Sequence, residues 1–420
     1  MSKRKVDDSE EQIRIYDKLV RQFGDSRILG DQMRTAAALI NKSVALRQLD
    51  RRQEGIAVCD EVTTRLGDSA PPALWQLFAV ALINKGIMLA ELDRHEEALN
   101  VDDEVVRRFG DSRRLLVKEL VAGALVNKGN TFALSKRSEE AIGAYDEVLR
   151  RFGSCSEPTP FWMRQAKRFY HEVVRRWQFS PYCALDETLA TALVNKGAML
   201  AELKRSEEAI GVYDDVASRF RGSWRSAVRN QVASALLGKG VALSQLNRGE
   251  EAIGIYDDVA RQLGGSSQPA LQETAAKALF NKGVGLGRLN RSEEAVGAYS
   301  EVVRRFEGCA LPALQKQVAL ALVNKGFRLG KLNRSEEAIS AYDEVVRRFG
   351  DSSLPILQED VGRALLNKGG SLAQPDRRAE AVAIYDEVVL RFGHSSEPAL
   401  QKLVAEAIAE KNALASDEPA

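Results

Sequence analysis

The sequence predicts an all-α fold, an α-solenoid of stacked antiparallel helical hairpins, on the basis of three observations. The tripeptide Asn-Lys-Gly recurs along the chain, and successive copies begin 43 residues apart with a single exception. Apolar residues around each copy follow helical spacing, and short turn sequences separate them. A period in this range is typical of stacked supersecondary units. The copies begin at Asn84, Asn127, Asn195, Asn281, Asn324 and Asn367, with degenerate copies at Asn41, Gly238 and Glu410.

The first helix of a repeat is clearest between Leu311 and Leu332. Pro312 suits the first turn of a helix, because its missing N–H leaves no hydrogen bond unmade there. Apolar residues then recur at helical spacing as far as Leu332. This predicts a helix roughly 30 Å long, at 1.5 Å per residue. Asn333 and Arg334 are expected to form a short turn after it.

The second helix of the same repeat is shorter. Ser335 is placed to cap its N-terminus, and the two glutamates that follow suit the positive end of the helix dipole. Two arginines close the helix, and Gly350 is expected to end it in the left-handed conformation. Neither helix can bury its apolar stripe alone, so neighbouring repeats must stack. The residues predicted to face inward are Ala338, Ile339, Tyr342, Val345 and Val346.

The repeated positions resemble those of a known family. Within one copy they are Leu125, Gly129, Phe132, Ala141, Tyr145 and Val148, and equivalent residues recur over nearly the whole chain. This order resembles the tetratricopeptide repeat, which implies a right-handed superhelix of helix pairs. Two features depart from it: a lysine precedes the glycine position in every copy, and each unit is about nine residues longer than the common form. The lengthened unit is similar to the kinesin-light-chain type of the repeat.

The repeat predicts one array over the whole chain rather than separate globular domains. We expect residues 9–152 and 183–413 to form helical repeats and residues 153–182 to form an insertion with an extra helix. Residues 1–8 and 414–420 are expected to be disordered tails. The array begins with a lone helix of the second type and ends with a lone helix of the first type, and such ends act as caps.

The insertion accounts for the one irregular interval, because 68 residues separate Asn127 from Asn195, 25 more than the usual period. Its sequence resembles a second-type helix copied without its partner. Aromatic residues and arginine are the usual anchors of protein interfaces, which favours partner docking or self-association. The alternatives are a filler helix and nucleic-acid binding by stacking. The candidate docking residues are Phe161, Trp162, Arg164, Arg168, Tyr170 and Trp177.

The resemblance also implies a binding role for the asparagines. In tetratricopeptide proteins that hold extended peptides, the asparagine two residues before the small residue lines the concave groove. A carboxamide both donates and accepts hydrogen bonds, so it can hold a peptide backbone whatever the ligand's side chains. The alternative is that these asparagines bond to each other or to adjacent helices. The predicted ladder comprises Asn41, Asn84, Asn127, Asn195, Asn281, Asn324 and Asn367, with Gly238 as a missing rung.

The helical neighbours of each asparagine vary between copies and are expected to set specificity. In the C-terminal half several are basic, which predicts a preference for acidic ligand segments there. The lysine of each copy points about 100° away from the asparagine. An acid follows the tyrosine position in nearly every copy, which predicts a ladder of ion pairs between helices, with a basic groove as the alternative. The variable basic residues are Lys277, Arg288, Lys331 and Arg363.

Composition narrows the range of functions. Lys plus Arg is 60 and Asp plus Glu is 59, a balance that disfavours wholesale nucleic-acid binding. No apolar run reaches the length of a membrane span, and the charged N-terminus lacks a signal-peptide core. Four widely spaced cysteines favour a reduced, cytoplasmic protein. Three scattered histidines, with no phosphate loop or metal-ligand spacing, predict no catalysis, no cofactor and no metal.

The predicted function is a non-catalytic scaffold or adaptor that holds a protein or peptide along its concave groove. A second prediction is a regulatory or sensor subunit of a larger complex, which docks through residues 158–182. RNA binding by the helical repeats is a third, which the near-zero net charge disfavours. The fold alone assigns no pathway.

Overall fold

A computed structural model describes residues 3–67, 70–153, 185–223 and 225–416 of the protein. Every regular element in these ranges is an α-helix, which confirms the all-α prediction. Among the described helices, none combines the length and the apolar character needed to cross a membrane.

The first of two compact units is Met1–Val232. Its complete described helices are α1 Lys3–Phe23, α2 Leu29–Gln48, α3 Arg52–Leu66, α4 Trp75–Ala90, α5 His95–Phe109, α6 Leu115–Leu134, α7 Ser138–Phe152, α8 Leu185–Glu202 and α9 Ser206–Phe220. Each of these helices packs against the next one in the chain. The even-numbered helices also contact one another in sequence, so the hairpins stack as predicted.

The second unit is Ala233–Ala420. Its helices are α10 Ser226–Gln245, which begins before the boundary, α11 Gly249–Leu263, α12 Pro269–Arg288, α13 Ser292–Phe306, α14 Pro312–Lys331, α15 Ser335–Phe349, α16 Pro355–Leu372, α17 Arg378–Phe392 and α18 Pro398–Ser416. From α11 onward each helix packs against the next, and α12, α14, α16 and α18 also contact one another in order. Pro269, Pro312 and Pro355 each lie in the first turn of a helix.

Even-numbered helices are the first helices of the hairpins and odd-numbered helices are the second. The chain therefore begins with a second-type helix, α1, and ends with a first-type helix, α18. Helix α1 begins at Lys3, so residues 3–8 are helical although the sequence analysis assigned them to a tail. Lys3, Arg4 and Lys5 in this segment are good helix formers. Helix α18 extends to Ser416.

In six hairpins a glycine on the first-type helix allows a tyrosine of the second-type helix to pack against its backbone. A Cβ atom built on Gly326 would lie 2.5 Å from the ring of Tyr342, closer than van der Waals contact permits. Tyr342 is only 2% exposed, so its ring fills the space between the two helices. The same packing recurs in the pairs Gly129–Tyr145, Gly197–Tyr213, Gly240–Tyr256, Gly283–Tyr299 and Gly369–Tyr385.

The first-type helices from α2 to α14 each end at a residue in the left-handed conformation. Asn333 has φ of 58°, and the N–H of Arg334 donates to the carbonyl of Leu329 at 3.0 Å. This is the Schellman pattern of a helix C-terminus. Asparagine tolerates this conformation better than most residues. The equivalent left-handed residues are Asp50, Asp93, Lys136, Lys204, Asn247 and Asn290.

Two helix-end signals read from the sequence were wrong. Gly350 has φ of −57° and ψ of −36°, so it is right-handed and does not end α15 in the predicted way. Ser335 is the first residue of α15, and the cap position belongs to Arg334, which makes no side-chain capping bond. The preceding Schellman turn determines this position, because Arg334 is part of that turn and its carbonyl accepts the N–H of Ala338 at 3.0 Å.

In seven repeats the lysine pairs with an aspartate of the preceding second-type helix. The Nζ of Lys85 lies 2.6 Å from Oδ1 of Asp60, and both side chains keep partial contact with solvent. Pairs of this kind fix the register of neighbouring helices more than they add stability. The predicted ladder is therefore present, and it includes both terminal helices. Its other pairs are Lys42–Asp17, Lys128–Asp103, Lys196–Asp146, Lys282–Asp257, Lys368–Asp343 and Lys411–Asp386.

A second ladder, which the sequence analysis missed, joins the starts of the second-type helices. Arg334 binds Glu337 of its own repeat and also Glu293 of the preceding repeat, the latter at 3.0 Å. The sequence analysis explains such glutamates by the helix dipole, but Glu293 and Glu337 each also have a guanidinium partner. The equivalent links between repeats are Arg51–Glu10, Arg137–Glu96, Arg205–Glu139, Arg291–Glu250 and Arg377–Glu336.

The second repeat departs from the packing pattern at its tyrosine position. Asp102 stands there, against Gly86, and is 1% exposed. Within the described ranges, neither carboxyl oxygen of Asp102 has a hydrogen-bond partner. Burial raises the pKa of Asp102 well above its ordinary value, and the neighbouring charge of Asp103 adds to the effect. The hairpin of α4 and α5 therefore buries a carboxyl group without a hydrogen-bond partner, which is unfavourable.

Candidate functional site

The predicted asparagine ladder lies on the first-type helices, with its side chains half-buried. The position three residues after each rung is apolar and exposed in several copies. Val44 and Val241 are 38% exposed there, and Phe327 is 45% exposed. The rung positions are thus accompanied by apolar side chains that are open to solvent.

In the second unit these positions line a cleft of about 540 Å³. The cleft extends over three successive first-type helices, with Phe327 and Lys331 from α14, Asn367 from α16 and Glu410 from α18. Asn367 and Lys331, two residues predicted to bind a peptide, thus lie in the same cleft although they come from different helices. The cleft is also lined by Tyr342, Gly370, Gln374, Tyr385 and Glu406.

Two phenol side chains of this cleft have no hydrogen-bond partner among the described residues. Tyr342 is 2% exposed and Tyr385 is 1% exposed, yet both line the cleft. Burial raises the pKa of each phenol to about 12, and at Tyr385 the negative charge of Glu410 acts in the same direction. Both hydroxyls are therefore protonated near neutral pH and can donate a hydrogen bond to a ligand in the cleft.

Part of the asparagine ladder forms bonds within the protein. The Nδ2 of Asn195 donates to Oδ1 of Asn130 at 2.9 Å, and the hydroxyl of Tyr145 donates to the same oxygen at 2.8 Å. The Nδ2 of Asn324 donates to the carbonyl of Leu320 at 2.9 Å. The amide groups of these two rungs are therefore used within the protein, whereas their Oδ1 atoms can still accept hydrogen bonds.

Two of the four predicted basic residues are paired on their own helices. Lys277 lies 2.6 Å from Glu273, and Arg363 lies 2.6 Å from Glu359. Each of these carboxylates reduces the positive charge that its partner can offer to a ligand. No such ion pair involves Arg288 or Lys331 in the described part of the chain.

The charge of the cleft is mixed rather than basic. Lys331 contributes a cation, and its Nζ lies 5.6 Å from the centre of the Phe327 ring. Glu406 and Glu410 contribute two carboxylates from α18. Among the lining residues, the acids thus outnumber the single lysine.

Sequence analysis missed the two tyrosines and the two glutamates of this cleft. The tyrosines were assigned to packing, and no sequence signal distinguishes a buried phenol with a satisfied hydroxyl from one whose hydroxyl faces a cleft. The glutamates had a usable signal. Glu410 stands 43 residues after Asn367, in the register of the ladder.

Other predicted features give no second site in the described ranges. There, no group of His, Cys, Asp and Glu side chains is arranged to hold a metal ion. Cys59 and Cys309 are free thiols. The residues predicted for partner docking lie outside the described ranges, namely Phe161, Trp162, Arg164, Arg168, Tyr170 and Trp177.

Comparisons with known proteins agree with the repeat architecture. A family profile described as Tetratricopeptide repeat matches residues 323–398, which run from the end of α14 to the start of α18. A search of curated protein sequences found no match.

Solved structures share the fold along most of the chain. The apo form of RapI aligns with a TM-score of 0.53 and 12% identity, over 92% of this chain and 99% of RapI. The apo form of the quorum sensor NprR from B. thuringiensis aligns with a TM-score of 0.51 and 12% identity, over 93% of this chain and 98% of NprR. NprR in complex with its cognate peptide NprX aligns with a TM-score of 0.39 and 12% identity, over 89% of this chain and 98% of the NprR chain.

Identities of 12% establish the fold and no more. The likeness of the unit to the kinesin-light-chain form stays a prediction. The profile match shows tetratricopeptide repeats in residues 323–398, and the recurring Gly–Tyr hairpin and the solved structures show that the same helical-repeat fold extends along most of the chain.

Proposed function

We propose that this protein is a scaffold or adaptor that binds an extended polypeptide along the asparagine-bearing face of its first-type helices. The observation that carries the proposal is the cleft of the second unit. There Asn367, Lys331 and Phe327, from two different helices, surround a space of about 540 Å³ with unpartnered phenol hydroxyls.

The spacing of the helices suits an extended chain. Packed helices lie roughly 8–10 Å apart, and an extended peptide rises about 3.3 Å per residue. Each rung would therefore meet about every third residue of the ligand. At Asn324 the Oδ1 atom would accept a peptide N–H, because its Nδ2 is used within the helix. Exposed apolar residues such as Val241 and Phe327 would contact the ligand's side chains.

The comparison with NprR supports a peptide as the ligand class. NprR is described as a quorum sensor, and its structure with a cognate peptide has been solved. The apo form has the same fold as the present chain at a TM-score of 0.51.

In this proposal, fewer basic residues contribute to the predicted preference for acidic ligand segments. Lys277 and Arg363 are paired with glutamates of their own helices. We assign the attraction to Arg288 and Lys331, and the remainder of the cleft would not favour a uniformly acidic peptide.

Two other functions have less support. RNA binding would draw on the repeated lysines, but seven of them are paired with aspartates. A regulatory subunit that docks, or self-associates, through residues 158–182 remains the alternative proposal, and those residues lie outside the described ranges.

The test is affinity purification from the native cell with wild type and a variant in which Asn281, Asn324 and Asn367 are changed to Ala. The control is Gln262→Ala, an exposed amide on the second-type helix α11. We expect the triple variant alone to lose a polypeptide partner. Identical partner lists for all three proteins would contradict the proposal. Deletion of residues 158–182 in parallel shows whether any partner depends on the insertion instead.

A further inference from the structure

Helix α18 carries a carboxylate where the three first-type helices before it carry a carboxamide. Glu410 of α18 follows Asn281, Asn324 and Asn367 at the same interval of 43 residues. A carboxamide can hold both an N–H and a C=O of a peptide backbone, whereas an ionised carboxylate only accepts hydrogen bonds. The last rung is therefore suited to a different part of a backbone from the other rungs.

The carboxylate of Glu410 has no cation of its own in the described part of the chain. The adjacent lysine, Lys411, is paired with Asp386 at 2.5 Å. Glu406, one turn earlier on α18, lies in the same cleft, and its nearest cation is Lys402 at 3.8 Å, with the lysine 79% exposed. Such an exposed ion pair is weak, so Lys402 neutralises little of the negative charge of Glu406.

Independent evidence for a ligand at this end comes from the two buried tyrosines. Tyr342 and Tyr385 are at most 2% exposed, line the cleft, and make no hydrogen bond within the described ranges. Their counterpart Tyr145 does bond to an asparagine, at 2.8 Å. Their hydroxyls thus have no partner in the described part of the protein and reach the cleft, where a ligand with polar atoms can accept their hydrogen bonds.

We propose that the free amino terminus of the bound peptide docks at Glu410 and Glu406. This inference rests on the proposed function, because the rungs are taken to contact backbone groups. The amino terminus is the one part of a backbone that carries positive charge and only donates. Its ammonium group matches a carboxylate at the last rung, as a carboxamide would not.

The proposal also determines the direction of the peptide. Its amino terminus lies at α18, and the chain runs past Asn367 of α16 toward α14. At the helix spacing used above, the Phe327 ring meets the side chain about five or six residues from the amino terminus. An apolar residue is expected there.

The test begins with random nine-residue peptides joined to beads through their C-termini, so that their amino termini are free. Peptides that wild-type protein selects are then synthesised in two forms, with a free and with an acetylated amino terminus. Binding of each form is measured by fluorescence anisotropy to wild type, Glu410→Gln, Glu406→Gln and Glu397→Gln. The last variant makes the same charge change at an exposed glutamate that does not line the cleft.

We expect acetylation to weaken binding to wild type about tenfold or more, the effect of losing a charge-assisted hydrogen bond. Glu410→Gln should weaken binding of the free form by a similar factor and leave the acetylated form nearly unchanged. Glu406→Gln should act in the same direction, and Glu397→Gln should have no effect.

Equal binding of the free and acetylated forms would overturn the proposal. If every selected peptide then contained Lys or Arg and Glu410→Gln still weakened binding, the recognised cation would be a side chain. Failure of the proposed function looks different. In that case, wild type would select no peptide, or changing Asn281, Asn324 and Asn367 to Ala would not affect the peptides selected.

Discussion

The Nζ of Lys196 lies 2.5 Å from Oδ1 of Asp146, although 50 residues separate the two in sequence. The other six lysine–aspartate pairs named above join residues 25 apart, at 2.5 to 2.6 Å. Helices α7 and α8 also pack against each other directly, as neighbouring helices do elsewhere in the first unit. The stack of the first unit therefore continues across the inserted segment.

Deletion of residues 158–182 should leave the protein folded. The deletion restores the usual 43-residue interval between Asn127 and Asn195, and a shorter connection slightly reduces the entropy cost of closing it. We expect the far-ultraviolet circular dichroism per residue to match that of wild type. The melting temperature, Tm, should stay within a few degrees of wild type, because loop length has only a small effect on stability. A fall in Tm of ten degrees or more would mean that the insertion helps to hold the stack together.

The buried carboxyl of Asp102 should make stability depend on pH. The unfolded carboxyl has a pKa of about 3.9, whereas burial raises the folded pKa of Asp102 well above its ordinary value. As pH rises above about 4, the unfolded state releases this proton while the folded state retains it, so the free energy of unfolding falls until the folded pKa is passed.

Asp102→Asn removes this titration. The free energy of unfolding of the variant should therefore exceed that of wild type by an amount that grows between pH 4.5 and 7.5 and reaches about 1–3 kcal/mol. Urea unfolding at both values measures it. Asp93→Asn serves as the control, because Asp93 has an exposed side chain and asparagine tolerates its left-handed backbone. A constant difference between Asp102→Asn and wild type at the two pH values would contradict the account.

Two glycines of α14 should respond to alanine with opposite signs. A Cβ at position 326 would lie 2.5 Å from the Tyr342 ring, so Gly326→Ala should lower the free energy of unfolding by about 1–3 kcal/mol. A Cβ on Gly330 meets nothing within 4 Å. Gly330→Ala should therefore raise the free energy of unfolding by about 0.5–1 kcal/mol, because alanine is the better helix former. Urea unfolding of both variants measures the contrast. Equal effects would mean that the Gly–Tyr contact does not limit helix approach.

One pair of the lysine ladder lacks its acid and can be completed. Ser300 occupies the aspartate position that faces Lys325. Ser300→Asp should raise the free energy of unfolding by about 0.2–1 kcal/mol, as expected of a partly exposed ion pair. Thermal unfolding measures the gain, which should disappear in 1 M NaCl and in the Lys325→Ala background. A gain that persisted in both would have another origin.

Much of the fold could be predicted because its determinants repeat. A position such as Gly326 or Tyr342 recurs at one interval, and periodicity identifies the helices and the helix faces that pack. The ends of helices were less predictable. Asn333 rather than Gly350 is left-handed, because the hydrogen bonds of the short turn, and not the preference of a single glycine, determine the conformation.

The candidate site was predictable in part for a related reason. Asn367 and Lys331 line the same cleft, and the positions that neighbour a rung follow from helical geometry. Their role in binding stays a prediction. The charge of that surface was not predictable. Whether Lys277 pairs with Glu273 or faces a ligand depends on side-chain conformations, and the contribution of Glu410 depends on a terminal helix that departs from the motif.

The most direct test of the central claim is photo-cross-linking from within the cleft. A photoreactive phenylalanine analogue replaces Phe327 in one variant, and Leu390 in the control. Leu390 lies on α17, is 82% exposed and does not line the cleft. After irradiation in the native cell, mass spectrometry should find a polypeptide joined to position 327 and not to position 390. The same products from both positions, or none from position 327, would contradict peptide binding in the cleft.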